Sequence, residues 1–126
     1  TNNTTTATED EISWIGEDIS IICKNDDATT NANNDYGGDS SNHTSTRFYK
    51  NEVLTITPKN GCTINSIEFV ATTENYANAL KGSTWANSSA SASGKIVTVT
   101  PTNGAESISA TIGGACGFTQ ITVTYK

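Results

Sequence analysis

Residues 63–72 read Thr63-Ile-Asn-Ser-Ile-Glu-Phe-Val-Ala-Thr72. Apolar side chains at Ile64, Ile67, Phe69 and Ala71 follow the two-residue period of a half-buried β-strand, with one slip near Asn65-Ser66. Alternation of this kind puts one face on a core and the other in water, as in an antiparallel sheet. The pattern recurs on both sides: through Val53, Leu54 and Ile56 in 52–57, Ile96, Val97 and Val99 in 95–100, Ile108, Ala110 and Ile112 in 107–112, and Ile121, Val123 and Tyr125 in 118–125. The apolar run Ile19–Cys23 suits a strand covered on both faces, and 46–50 makes another short strand. Seven or eight short strands separated by turns predict an all-β fold: a single antiparallel β-sandwich, jelly-roll-like, with at most one short helix.

Composition agrees with that reading. Thr, Asn and Ser supply 49 of the 126 residues, so β-branched hydroxyls fill strand positions and turn formers fill the breaks. Pro58-Lys-Asn-Gly61 and Pro101-Thr-Asn-Gly104 each follow a strand ending in Thr and read as two copies of one hairpin solution; Gly113-Gly114 is a third break. The helix is expected over 75–81, with Asn75 as N-cap and Gly82 just beyond its end. Residues 1–8 read as a linker remnant and 9–126 as the one domain, a length that buries roughly two-thirds of the unfolded surface. No apolar run of membrane-spanning length and no leader-like start is present, so the expectation is a mature or excised piece of an exported chain without membrane insertion.

The net charge of −6, with seven scattered Lys and Arg, argues against nucleic acid as a partner. Nine of the thirteen acids lie between Glu9 and Asp39, where Lys24 is the only base. Asp26, Asp27, Asp35 and Asp39 offer the hard oxygen ligands that suit a structural calcium ion, although the EF-hand spacing is absent. The alternative is a solvated acidic surface. The same region holds the long polar stretch 26–45, whose length marks a functional or unstructured loop.

Three cysteines, Cys23, Cys62 and Cys116, leave an odd count, as expected for one disulfide and one buried thiol in an exported protein. Cys62-Thr-Ile-Asn-Ser-Ile-Glu-Phe and Cys116-Gly-Phe-Thr-Gln-Ile-Thr-Val share a spacing, which places the pair Cys62–Cys116 slightly ahead of the others. Three buried, reduced thiols are the alternative. No C-x-x-C spacing points to thiolate-bound metal.

Thr46-Arg-Phe-Tyr-Lys50, Val53-Leu-Thr-Ile-Thr57, Ile64-Asn-Ser-Ile-Glu-Phe69, Tyr76-Ala-Asn-Ala-Leu-Lys81 and the terminal Gln120-Ile-Thr-Val-Thr-Tyr125 resemble, in order and spacing, jelly-roll β-sandwich modules of carbohydrate-binding type from extracellular multidomain proteins of gut bacteria. The resemblance spans about residues 12–126 and departs at Cys116-Gly-Phe118, where a charged residue commonly precedes the last strand. It implies a secreted or cell-surface module, a monomer within a larger chain, with a polysaccharide or oligosaccharide as partner. It carries no binding residues over.

Sugar recognition relies on aromatic faces stacking on pyranose rings and on amide, hydroxyl and charged groups at their hydroxyls. Trp85, in a segment of small residues, is the leading candidate, with a plug closing one end of the sandwich as its alternative role. Tyr36, Tyr76, Arg47, Tyr49, Asn78 and Asn87 complete the expected carbohydrate-binding set. Phe48, Phe69, Phe118 and Tyr125 read as core, and Trp14, between Ile12 and Ile15, as buried. His43 is the lone imidazole, and its crowding with Asp39 and Ser40 in one polar loop is poor material for a triad. The expected function is therefore a noncatalytic carbohydrate-binding module with no required cofactor; the alternative is a structural or adhesive spacer, with or without calcium.

Overall fold

The structure, a computed structural model, describes residues 4–7, 11–24, 34–36 and 45–126, with 4–7, 11–12, 34–36 and 45 described by backbone alone. The strands are β1 (Thr4–Ala7), β2 (Glu11–Ile15), β3 (Ile19–Lys24), β4 (Asn34–Tyr36), β5 (Ser45–Phe48), β6 (Val53–Pro58) and β7 (Ile64–Ala71). Helix α1 (Glu74–Lys81) follows, then β8 (Thr84–Ala86), β9 (Ser88–Ser93), β10 (Ile96–Pro101), β11 (Ile108–Thr111) and β12 (Cys116–Tyr125). Two antiparallel six-stranded sheets, β1-β2-β3-β6-β11-β8 and β4-β5-β12-β7-β10-β9, form a jelly-roll-like sandwich. The chain changes sheet at β3→β4, β5→β6, β6→β7, β7→β8, β8→β9, β10→β11 and β11→β12, so each sheet is assembled from distant parts of the sequence. No helix among the described residues is long and apolar enough to cross a membrane.

The alternating residues do what their period dictates. Ile64, Ile67, Phe69 and Ala71 of β7 face Ile21, Cys23, Leu54, Ile56, Ile108 and Ala110 of the other sheet in one continuous core. The slip at Asn65 is real: β7 pairs Ser66 with Thr124 but Ile64 with Tyr125, so Asn65 is an extra residue bulged out of the ladder. A second shift in the same ladder lies between Phe118 and Gln120.

Several expectations need correction. The Pro-x-Asn-Gly stretches are not hairpins and not copies, for both connect one sheet to the other. At 59–62 Asn60 and Gly61 take φ of 55° and 75°, and Cys62 N–H donates to Lys59 O at 3.0 Å, a type I′ geometry. Gly104 serves close approach instead: a Cβ there would lie 2.0 Å from Ile64 O, whose residue's N–H donates to Gly104 O. Thr73, not Asn75, caps α1, its hydroxyl accepting from Tyr76 N–H at 3.1 Å. Residues 4–7, expected as linker, pair with β2 as an edge strand. The small-residue stretch after Gly82, expected as loop, forms β8 and β9, because Ala90 and Ala92 alternate inward against exposed Ser89, Ser91 and Ser93.

The expected Cys62–Cys116 disulfide is excluded. Cys116 opens β12, whereas Cys62 lies beside its far end, next to the Thr63 N–H that donates to Lys126 O. Nine strand steps at about 3.3 Å separate the two by roughly 30 Å, far beyond the roughly 7 Å Cα limit of a disulfide. All three cysteines are free thiols, with Cys23 and Cys116 buried.

One charged side chain is sealed inside this frame. Glu52 ends the tight turn that carries the chain from β5 to β6, with Asn51 at φ 72° and with Glu52 N–H donating to Tyr49 O. The turn is pinned to β11's end by paired bonds between Asn51 N–H and Ile112 O and between Ile112 N–H and Glu52 O. Glu52 itself is 0% exposed; Oε1 accepts from Tyr49 N–H at 2.5 Å and Oε2 has no partner among the described residues. Burial pushes its carboxyl up to about 7, against a smaller lowering by the Tyr49 bond.

A raised carboxyl pKa means the folded state holds a proton that the unfolded chain has lost. Stability is full below the ordinary value of 4.5 and falls as pH rises from there through about 7. At about 1.4 kcal/mol per unit, roughly 3 kcal/mol disappears across that window. The urea midpoint of the wild type is expected to drop between about pH 4.5 and 8, and Glu52→Gln is expected to remove most of that slope. Parallel slopes in the two proteins would mean Glu52 ionises normally.

Candidate functional site

Each tryptophan stands at one long side of the sandwich. Trp85 lies on the inner side of edge strand β8, in register with Ala110. Its ring meets Phe69 across the core at 6.3 Å, and its Nε1–H donates to Leu80 O at 3.0 Å. The same carbonyl, at the end of α1, also accepts from Ser83 N–H at 3.2 Å, so the indole adds a further donor to the helix end. Trp85 therefore takes the plug role, half-buried between helix and sheets.

Asn87 is likewise used internally. It sits at φ 60°, its Nδ2 donates to Asn103 O at 3.1 Å and Ser107 O at 3.3 Å, and its carbonyl accepts from Thr102 N–H. These bonds tie the β8–β9 corner to the β10–β11 crossover. Asn78 is exposed on α1. Tyr76 and Arg47 come together: the guanidinium carbon lies 5.4 Å from the ring centroid. Gly117, registered with Arg47, makes room for them, since a Cβ there would approach the Tyr76 ring to 3.3 Å. Tyr49 is half-buried and offers its backbone N–H to Glu52.

Tyr36 and Asp35 are placed by backbone in β4, opposite Ser45 and Thr46. Asp26, Asp27, Asp39 and His43 lie outside the described residues. Among the described residues no three Cys, His, Asp or Glu side chains gather closely enough to hold a metal ion. The expected carbohydrate set is thus dispersed. Arg47 and Tyr76 meet, whereas Trp85 and Asn87 are occupied elsewhere.

A concave place among the described residues lies at the other long side. Trp14, Ile21, Thr46, Phe118, Thr119, Gln120 and Ile121 line a half-open recess of about 140 Å³ between the sheets. Trp14 is half-buried, its ring held at 6.2 Å from Phe118 and 6.5 Å from Phe48. The recess follows from the second register shift: Thr119 is the extra residue of a bulge, with its hydroxyl donating to Val70 O, and Gln120 resumes the pairing. Bulges commonly re-aim side chains in this way. No residue among the described lining is an acid, a base or a thiol.

Sequence reasoning assigned Trp14 to the core because isoleucines flank it. The better signal lay downstream. Phe118 to Ile121 is a spacing of three in a strand otherwise of period two, which marks a bulge on β12. No protein-family model, curated protein or solved structure matches the chain.

Removing the Trp85 ring opens a cavity beside Phe69 and takes from the Leu80 carbonyl one of its donors, leaving it the Ser83 N–H. Trp85→Ala is expected to cost about 3 kcal/mol or more, seen as a lower urea midpoint. Asn78→Ala, on the exposed face of α1, is expected to stay within about 0.5 kcal/mol of wild type. Equal midpoints for Trp85→Ala and wild type would return Trp85 to the surface.

Proposed function

We propose that this chain is a noncatalytic carbohydrate-binding module of an exported multidomain protein, and that the Trp14 recess is its sugar site. The observation that carries the reading is a half-exposed indole fixed by two phenylalanines and rimmed by Thr46, Thr119 and Gln120. An aromatic face beside neutral hydroxyl and amide groups is the chemistry that a pyranose ring requires. The recess is small against the roughly 300–1,000 Å³ of pockets that enclose a drug-sized ligand. It therefore suits one sugar residue of a longer glycan, gripped from the side. Expected affinity is modest, about micromolar to millimolar, or roughly −8 to −4 kcal/mol.

A second reading, a structural or adhesive spacer, draws support from the internal use of Trp85 and Asn87. Affinity electrophoresis through gels containing soluble plant or host polysaccharides separates the two. The module reading expects retardation by one glycan class, lost in Trp14→Ala and in Gln120→Ala. Gln120→Ala retains the wild-type melting temperature, since Gln120 is exposed and, among the described residues, its side chain bonds only to Thr122. Mobility unchanged by every glycan would favour the spacer. Retardation retained in both variants but lost in Arg47→Ala would move the site to the Arg47–Tyr76 stack.

A further inference from the structure

Two thiols face each other across the core at the end where the chain passes from β5 to β6. β3 and β12 are each third in their sheet, and the contacts of Trp14 on β2 with Phe48 on β5 and Phe118 on β12 show that these parts of the sheets are face to face. Trp14 registers with Ile21, and Cys23 is the next inward residue along β3. Cys116 is the next inward residue beyond Phe118 in the same direction. Cys23 and Cys116 are 0% and 1% exposed. Their cross-strand neighbours, Leu54 and Phe48, flank the short crossover that holds Glu52. These two strand partners are thus held near each other by the five residues, 49–53, that leave one sheet and enter the next.

We propose that Cys23 and Cys116 form an intersheet disulfide when the chain folds in the presence of a disulfide oxidant, leaving Cys62 as the free thiol. Three observations point the same way. The two inward positions are matched along facing strands, each thiol lies within the electrostatic reach of the other and both within that of Glu52, and Cys62 is excluded as a partner by its place at the far end of β12. The shared spacing of the Cys62 and Cys116 segments is therefore no guide to pairing.

The reaction is thiol–disulfide exchange with a small disulfide such as oxidised glutathione. One cysteine thiolate attacks that disulfide and releases one thiol; the second cysteine then displaces the other. One S–S bond forms in the protein, one breaks in the oxidant, and two electrons and two protons pass to the oxidant. Exchange belongs to folding rather than to the finished domain, because burial holds both thiols protonated, Cys116 up to about 12 and Cys23 likewise raised.

The test is refolding from urea in a mixture of reduced and oxidised glutathione, followed by acid quench, maleimide labelling in denaturant and mass spectrometry of the intact and digested chain. The wild type is expected to take one maleimide, at Cys62, and to yield a cross-linked peptide pair containing Cys23 and Cys116. Cys62→Ser, which cannot shuffle, is expected to take none and to be two hydrogens lighter than its reduced form. Its melting temperature is expected to fall by about 10 °C on reduction. Labelling at Cys23 and Cys116 in the refolded protein, a cross-link that includes Cys62, or a melting temperature indifferent to reductant would each overturn the proposal.

Discussion

The sandwich depends on a line of aromatic rings that crosses its core from one long side to the other. Trp14 meets Phe118 at 6.2 Å, Phe118 meets Phe69 at 5.5 Å, and Phe69 meets Trp85 at 6.3 Å, with Phe48 tilted against Phe118 at 4.9 Å. Only 34% of the chain is hydrophobic and 7% aromatic, so the core has few large side chains to distribute. Isoleucine and valine fill the interior positions, yet β-branched groups alone leave the sides of a two-sheet stack open. Rings of large area, placed end to end, span the gap and fix the separation of the sheets at both margins. Every other feature of the fold is arranged about that line.

The crossovers show how tightly it is held. Because the chain repeatedly changes sheet in short connections, each inner strand is positioned by partners far away in sequence, and a shift of one residue would turn the rings of that strand outward. The fold pins these connections with specific chemistry: Gly104 against Ile64, Asn87 against Asn103 and Ser107, and the Tyr49–Glu52 turn against Ile112. Glu52 is the exception to comfort. A buried carboxyl with one unpartnered oxygen costs stability when charged, and its one hydrogen bond, to Tyr49 N–H, closes the turn that brings β5 and β6 into place. Local order in the crossover is obtained at the expense of a proton that the folded state must keep.

Much of this was legible in the sequence wherever apolar and polar residues alternate with large side chains. β3, β6, β7, β10, β11 and β12 were all readable, and so was the bulge at Asn65, because a missed step in the Ile64–Ile67 spacing has no other explanation in a strand. β8 and β9 were illegible for a physical reason. Alternation of Ala with Ser gives almost no contrast in hydrophobicity, and the strand forms because β10 is already there to pair with it. Turn chemistry misled where the same Pro-x-Asn-Gly pattern served two purposes: Asn60-Gly61 supplies positive φ, whereas Gly104 supplies only the absence of a Cβ. The cysteines misled likewise, since matched spacing reports similar strands and says nothing of which strands face each other.

The two tryptophans state the limit most clearly. Trp85 looked solitary because its neighbours in sequence are small, and its true partners, Phe69 and the Leu80 carbonyl, are brought to it only by the helix and the opposite sheet. Trp14 looked buried because Ile12 and Ile15 stand near it, yet in a strand its immediate neighbour Ile15 points to the other face and, at 43% exposure, is the most open large apolar residue described. What decides whether an indole is a plug or a platform is what the opposing strand places over it. Over Trp85 lies a helix end that takes its N–H; over Trp14 lies a strand made irregular by one extra residue at Thr119, and a recess remains. A single insertion in β12, and not the character of either tryptophan, is what leaves one side of this fold closed and the other with an open recess.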